Sequence, residues 1–223
     1  MCKNTRFFQA GIVLMAMGLQ ACAGTQPVPY SGISSSPRLQ PNAQNDAGHM
    51  PYFYSARPAW REYSRVIIEP VVIYHGADNQ FGDVTTEQQQ ELAAYMQKQF
   101  SQTLAERYQI VHQVSAGTLR IRLTLTGAET TTPVLGTFTR FDLAGGPYNV
   151  VQSIRGKQGS FTGSVSYAVE IFDASSQQLL EAYVSKQYPN ALNIGASWGA
   201  LNAAETGIDK GAEQLAERIN PAH

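Results

Sequence analysis

The best candidates for acid–base chemistry in this 223-residue chain are His75, Asp78 and Asp83. They follow a segment rich in β-branched residues. An imidazole beside carboxylates can act as a general base or a general acid. The same three residues, set among glycine and asparagine, are equally typical of a solvated turn. A hydrolase built on His75 is therefore the least favoured of three functional hypotheses.

Other patterns associated with catalysis or metal binding are missing from the sequence. Its four histidines do not have ligand spacing, and neither an H-E-x-x-H sequence nor a G-x-S-x-G nucleophile elbow occurs. Residues 78–83 begin like a calcium loop, but the twelfth position holds Gln89 instead of glutamate. We predict that the protein is not an enzyme and has no catalytic residue, no cofactor and no metal ion.

Arg120 and Arg122 alternate along one predicted strand, so both side chains lie on one face and could hold an anionic group. Cross-strand pairing with Glu170 or Glu181 is the more ordinary role for such residues. The whole chain has 16 basic and 17 acidic side chains, which gives a net charge of −1. Because nucleic-acid binding needs clustered positive charge, we predict no nucleic-acid partner.

The N-terminus has the layout of a secretory signal. Lys3 and Arg6 provide positive charge, and an apolar segment follows over residues 7–19. This segment is shorter than the roughly 20 residues that a membrane-spanning helix needs. We therefore predict a signal peptide over residues 1–21 rather than a membrane span.

The end of that segment, Leu19-Gln20-Ala21-Cys22, resembles the lipobox of bacterial lipoproteins. The resemblance implies cleavage before Cys22, attachment of diacylglycerol to its thiol and acylation of its new amino group. Several acyl chains hold a protein firmly on a membrane, whereas one chain does so only marginally. Ala23, in place of aspartate, implies sorting to the outer membrane of a Gram-negative bacterium. Cys22 is thus the predicted lipid-attachment site, with the protein on the periplasmic face of that membrane.

Residues 22–51 are rich in proline, serine, glycine, asparagine and glutamine and have no hydrophobic period. Such a composition buries too little apolar surface to offset the entropy lost on ordering. We predict a flexible tether with a reach of about 30 Å. The alternative is a segment that lies across the folded domain.

From residue 52 the sequence is patterned like a folded domain, and residues 52–220 are predicted to form one domain. Residues 65–74 are dense in aliphatic side chains, as in a buried strand, and Pro70 predicts an edge position or a bulge. A helix begins near Thr85 or Thr86, either of which can cap it. Its apolar stripe is typical of a core-facing helix: Leu92, Met96, Phe100, Leu104 and Tyr108.

Further segments complete the predicted fold. A short strand lies within 108–114, and residues 118–126 alternate as a half-buried antiparallel strand with one wet face. Residues 164–172 and 179–187 form a hairpin. A last helix carries an apolar stripe that begins at Trp198. The predicted fold class is α+β, a two-layer domain with a mostly antiparallel sheet and two long amphipathic helices.

Residues 127–159 form an unusually long connection that contains many apolar and aromatic side chains. Loops of this length are uncommon in compact domains and are often functional. One interpretation is an irregular crossing that covers a face of the sheet. The other is a binding surface for a lipid or a protein partner.

Three segments, residues 65–71, 117–126 and 169–182, are similar to a known family. With the lipobox and Trp198, they resemble the bacterial lipoproteins called domain of unknown function 3313. The resemblance covers roughly residues 52–220, implies an envelope lipoprotein and supplies no site residues.

These observations leave two main functional hypotheses. The first is an outer-membrane-anchored periplasmic lipoprotein that acts as a non-enzymatic binding or scaffolding module for an envelope partner. The alternative is a carrier or sensor of an apolar ligand that uses residues 127–159.

Overall fold

The computed structural model describes residues 26–45, 49–130, 163–189 and 200–221. Within these ranges the chain forms an eight-stranded sheet and two α-helices, which confirms the α+β class. In chain order the elements are β1 (Gln40–Pro41), β2 (Tyr52–Ser55), β3 (Arg65–Ile68), β4 (Val72–Ile73), α1 (Thr86–Ala105), β5 (Gln109–Ile110), β6 (Thr118–Glu129), β7 (Ser164–Asp173), β8 (Leu179–Gln187) and α2 (Asn202–Arg218).

Several predictions from the sequence lie outside the described residues. They concern the signal peptide over 1–21, the lipid site Cys22, Trp198 and most of the 127–159 connection. Each of them stays a prediction.

The sheet is mixed, with the strand order β1-β2-β8-β7-β6-β3-β5 and with β4 also paired to β6. The pairings of β1 with β2, β2 with β8, β8 with β7 and β7 with β6 are antiparallel. The strands β3 and β4 run parallel to β6, and β3 runs parallel to β5. The long central strands are therefore antiparallel neighbours, and parallel pairing is confined to the short strands on one side.

Pro70 separates β3 from β4, which lie one after the other along β6. Proline cannot donate a backbone hydrogen bond to a neighbouring strand, so the ladder is interrupted there. The next backbone donor, the N–H of Val71, bonds to Oε1 of Gln97 on α1 at 2.8 Å. The expected irregularity is thus a break in the strand that the helix bridges.

Helix α1 begins with a capping box at Thr85. The N–H of Gln88 donates to Oγ1 of Thr85 at 3.3 Å, and the N–H of Thr85 donates to Oε1 of Gln88 at 3.0 Å. This reciprocal pair satisfies two otherwise unpaired donors. The predicted stripe is buried in the main core, although the helix ends at Ala105 and its last member follows in the next turn: Leu92, Met96, Phe100, Leu104 and Tyr108.

Helix α2 packs closely over β7 and β8 and against α1. Small residues allow this approach, because a Cβ at Gly211 would overlap the hydroxyl of Tyr167 on β7. The ring of Tyr167 also meets Phe100 of α1 edge-on, with centroids 5.8 Å apart. The two helices and one face of the central strands therefore share a single core.

The hairpin of β7 and β8 forms as the alternation predicts. The residues that face the helices include Val165, Tyr167, Val169 and Ile171. Ala168 and Val184 belong to a second apolar cluster on the opposite face of the sheet. Both faces of the hairpin are thus buried.

The second face is covered by residues 26–39, here called the strap. Tyr30, Ile33 and Leu39 of the strap are 1%, 6% and 7% exposed and pack in the second cluster with Ala168 and Val184. The expectation of a flexible tether over residues 22–51 is wrong for this segment. The alternative of a segment that lies across the domain describes it instead.

Specific bonds and restricted backbone hold the strap in place. The hydroxyl of Tyr30 donates to Oε1 of Gln80 at 2.9 Å, and the N–H of Gly32 donates to the hydroxyl of Tyr74 at 3.0 Å. Tyr30 itself has a φ of 54°, a left-handed conformation that is rare for bulky residues and needs tertiary contacts to persist. Proline residues, including Pro27 and Pro29, lower the entropy that this segment loses on ordering.

The strap also changes the environment of β6. The sequence predicts a wet face there, yet Thr124 and Thr126 are buried. The polar face of β6 is partly covered, because the strap and the residues packed beside the strap lie over it. The alternation of β6 is confirmed up to Leu125, and the expected solvent exposure of its polar face is wrong at Thr124 and Thr126 but holds in part at Arg122.

Replacing Tyr30 tests the packing of the strap. Tyr30→Ala removes a buried aromatic ring and should lower the free energy of unfolding by about 3–5 kcal/mol. Tyr30→Phe keeps the ring, loses the bond to Gln80 and should cost about 1 kcal/mol. Urea unfolding of the purified protein and its two variants measures both values. A loss below about 0.5 kcal/mol for Tyr30→Ala, the range of surface substitutions, would contradict the packing.

Candidate functional site

The acid–base candidates do not form one cluster. His75 and Asp83 are exposed, and in the part of the chain that the structure describes no hydrogen bond or ion pair joins His75 to Asp78 or Asp83. Asp78 instead accepts from the hydroxyl of Tyr74 at 2.6 Å and from the N–H of Ser31 at 2.9 Å. Asp78 therefore fastens the strap to the chain that follows β4.

Those bonds favour the ionised form of Asp78. The hydroxyl of Tyr74, and then the backbone N–H of Ser31, lower the pKa of the Asp78 carboxyl below its ordinary value of 3.8. A carboxyl with a depressed pKa stays charged at neutral pH. It is suited to accepting hydrogen bonds and unsuited to donating a proton.

Arg120 and Arg122 lie among carboxylates on the strap face of the sheet. Arg122 Nε is 2.8 Å from Oε2 of Glu69, and Arg122 Nη1 is 3.5 Å from Oε2 of Glu170. Arg120 Nε is 3.7 Å from Oε1 of Glu69. The pairing with Glu170 confirms one of the two cross-strand partners, and these carboxylates occupy the positions that an anion would need.

Glu170 connects this cluster to the strap. Its carboxylate, which is only 2% exposed, accepts from Oγ of Ser34 at 2.6 Å and from the N–H of Ser35 at 2.8 Å. A buried carboxylate is costly unless it is paired and hydrogen-bonded. The guanidinium of Arg122 and the two strap donors supply what this burial requires.

Glu181 has a different partner from the expected one. It lies 3.2 Å from Nε of Arg218, near the end of α2, and not beside Arg120 or Arg122. The guanidinium of Arg218 also lies 4.9 Å from the ring centroid of Phe53. Burial raises the pKa of Glu181, and the charge of Arg218 partly opposes that rise. This contact joins α2 to β8 and β2.

An ion pair with a buried lysine was also not anticipated from the sequence. Lys186 is 2% exposed, and its Nζ lies 3.3 Å from Oε1 of Glu129. Oγ of Ser164 donates to the other oxygen of Glu129 at 2.8 Å. Burial lowers the pKa of Lys186, and the carboxylate of Glu129 opposes that change. One signal in the sequence could have revealed the pair: Lys186 lies two residues after Val184, so its side chain is on the same covered face of β8.

A groove of about 430 Å³ lies beside this pair and is lined by residues 79–84 and 128–130. Residues 127–129, where the long connection was expected to begin, belong to β6. Residues 131–162 lie outside the described ranges. The hypothesis of an apolar ligand bound by residues 127–159 therefore stays a prediction.

Neither a metal centre nor a membrane span is found where the structure can be read. The described residues contain no group of three or more histidine, cysteine or acidic side chains that could hold a metal ion. None of their helices is long and apolar enough to cross a membrane.

The bond between Asp78 and Ser31 can be tested by its pH dependence. Because the folded-state pKa of Asp78 lies below 3.8, its stabilisation of the strap is complete above that pH and is lost as the pH falls below it. The amide resonance of Ser31 should follow this titration in NMR spectra. Asp78→Asn should abolish the response, and the exposed Asp83→Asn should preserve it. If the amide resonance of Ser31 does not shift as Asp78 titrates, the bond between the two residues is contradicted.

Comparison with solved structures gives only distant similarity. The PelC dodecamer from Paraburkholderia phytofirmans matches with 11% identity and a TM-score of 0.39, over 73% of this chain and 94% of that chain. A DUF4136 family protein from Bacteroides thetaiotaomicron matches with 10% identity and a TM-score of 0.37, over 76% and 96% of the two chains. A comparison with curated protein sequences finds no match.

The comparison with family models is informative because it covers most of the chain. The model described as "Protein of unknown function (DUF3313)" matches residues 29–215. The match begins inside the strap and includes every strand of the sheet and most of α2. The chain therefore belongs to the DUF3313 family.

Proposed function

We propose that this protein is a lipoprotein held on the periplasmic face of the outer membrane through Cys22. There it acts as a non-enzymatic binding or scaffolding module for another envelope component. We further propose that its domain is a two-layer unit in which the helices back the sheet and the strap covers the other face.

The sequence supports the anchor. A basic start, a short apolar segment and Leu19-Gln20-Ala21-Cys22 follow one another in the order that a lipoprotein signal requires. Ala23 after the cysteine favours the outer membrane, by analogy with lipoprotein sorting. Attachment of several acyl chains at one residue would make the association effectively permanent.

One structural observation carries the proposal further, namely that the strap is part of the fold. Its first described residue, Gln26, follows Cys22 by only four positions. A lipid on Cys22 would therefore be joined to the core of the domain by a very short link. Such a link suits a module that must be presented to a partner at a defined distance from the membrane.

The arrangement of charged groups supports a binding role over catalysis. Asp78, Glu170 and Glu129 each accept hydrogen bonds within the fold. Their interactions join the strap, β6, β7 and β8, so these carboxylates serve the architecture. In the described ranges, large hydrophobic side chains are exposed at Val72 and Val114, where a protein partner could make apolar contacts.

Cys22→Ala tests the anchor. The variant should leave the membrane fraction entirely after a salt wash, because it has no thiol for acylation. Cys2→Ala provides the matched control, since Cys2 lies in the predicted signal peptide and should not affect fractionation. Immunoblotting of washed membranes and soluble periplasm measures the distribution. Retention of the Cys22→Ala protein on washed membranes would contradict acyl anchoring.

Crosslinking in intact cells tests the binding role. A short amine-reactive crosslinker should convert part of the wild-type protein into a discrete heavier species that includes one envelope component. Cys22→Ala should lose most of this species, because release from the membrane lowers the effective concentration of the partner. Blotting and mass spectrometry identify the adduct. The same adduct yield from the freed protein would contradict a role that depends on anchoring.

A further inference from the structure

The strap begins at one end of the sheet. Nε2 of Gln80 donates to the carbonyl oxygen of Gln26 at 2.7 Å, and Gln80 also bridges to Gly127 of β6. The backbone at Gly127 must be close to Gln80, because a Cβ there would lie 2.7 Å from the Cβ of Gln80. We call this the anchor end, defined by residues 26–30, 76–83 and 127–129.

The turn of the main hairpin, residues 174–178, lies at the opposite end. The register of β6 and β7 shows this directly, because Glu129 pairs with Ser164 and Leu119 pairs with Asp173. At a rise of about 3.3 Å per residue, the strand between Leu119 and Glu129 separates the two ends by about 30 Å. We call residues 174–178 the hairpin end.

The link from the proposed lipid to the anchor end is short. Gln26 follows Cys22 by four positions, and a fully extended chain covers at most about 14 Å over four positions. This reach is less than half the length of the strand that separates the two ends. While the strap stays docked, the chain cannot place the hairpin end at the membrane with the anchor end directed away from it.

We infer that the domain stands on the membrane by its anchor end, with the anchor end against the lipid headgroups and the hairpin end directed into the periplasm. This inference rests on the proposed lipidation of Cys22. The groove lined by residues 79–84 and 128–130 then faces the headgroups.

The covalent link sets the proposed orientation, because the described residues of the anchor end carry no lysine or arginine that could attract anionic lipids. Residues 74–85 contain no lysine or arginine, and their charged side chains are the carboxylates of Asp78 and Asp83. An acidic segment gains nothing from the negative surface potential of anionic lipids. The expected neighbour is therefore a headgroup layer that the anchor brings close, and the domain without its lipid should not bind vesicles.

Energy transfer to labelled headgroups tests the orientation. Ala77 at the anchor end and Gln178 at the hairpin end are both exposed. Each is replaced by cysteine in separate variants, which gives the lipidated protein a single free thiol for a fluorophore. The proteins are then added to phosphatidylcholine vesicles that carry an acceptor on some headgroups. The rate of transfer to a plane of acceptors falls with the fourth power of distance. Ala77→Cys should therefore transfer more than about tenfold faster than Gln178→Cys, because the two positions are about 30 Å apart along the strands.

A longer link provides the control. Insertion of about 20 glycine and serine residues before Gln26 adds about 25 Å of reach and should remove most of the difference between the two positions. His75→Cys, at an exposed position directly before residues 76–83 of the anchor end, should repeat the result of Ala77→Cys. Loss of the difference on lengthening would show that the short link causes the orientation.

The two proposals fail in different ways. If the proteins do not float with the vesicles, the lipidation of Cys22 is wrong, and the orientation is wrong with it. If they float but the two positions transfer equally, or the hairpin end transfers more, the anchor stands and the orientation is overturned. Binding of the Cys22→Ala domain to the vesicles would overturn the statement that the link alone holds this end.

Discussion

The structure depends on one constraint, which is that the central strands β6 and β7 need a cover on both faces. The helices cover one face with apolar side chains, and the strap covers part of the other. Glu170 makes the second cover specific, because its buried carboxylate requires donors from Ser34 and Ser35 of the strap as well as Arg122. Without the strap, an apolar cluster and this carboxylate would both lose their partners.

The sequence predicted best the elements whose information is local. The box at Thr85 and the stripe from Leu92 to Leu104 lie within one helix, so periodicity and capping suffice to place them. The hairpin of β7 and β8 is likewise defined by alternation on both sides of a short turn. Pairing of Arg122 with Glu170 followed from alternation on adjacent strands.

The strap and the pairing of Lys186 with Glu129 could not be predicted in this way, because the partners are remote in sequence. Ser35 and Glu170 are 135 positions apart, and Lys186 and Glu129 are 57 positions apart. The composition of the strap suggested a flexible segment, since only a few of its side chains are apolar. Tyr30, Ile33 and Leu39 are enough, because prolines restrict the unfolded segment and the sheet offers a preformed apolar surface.

A strap that is both a cover and the link to Cys22 connects folding with presentation. A flexible tether lets a domain sample many distances and orientations, and a partner must then select the productive ones at an entropic cost. Here the segment from Gln26 to Leu39 is ordered when the sheet acquires its second cover. In the proposed lipidated protein, folding would then establish the orientation of the domain before any partner arrives. In the proposed anchored protein, a surface held within reach of a membrane-bound partner would have a higher effective concentration than it would on a long tether.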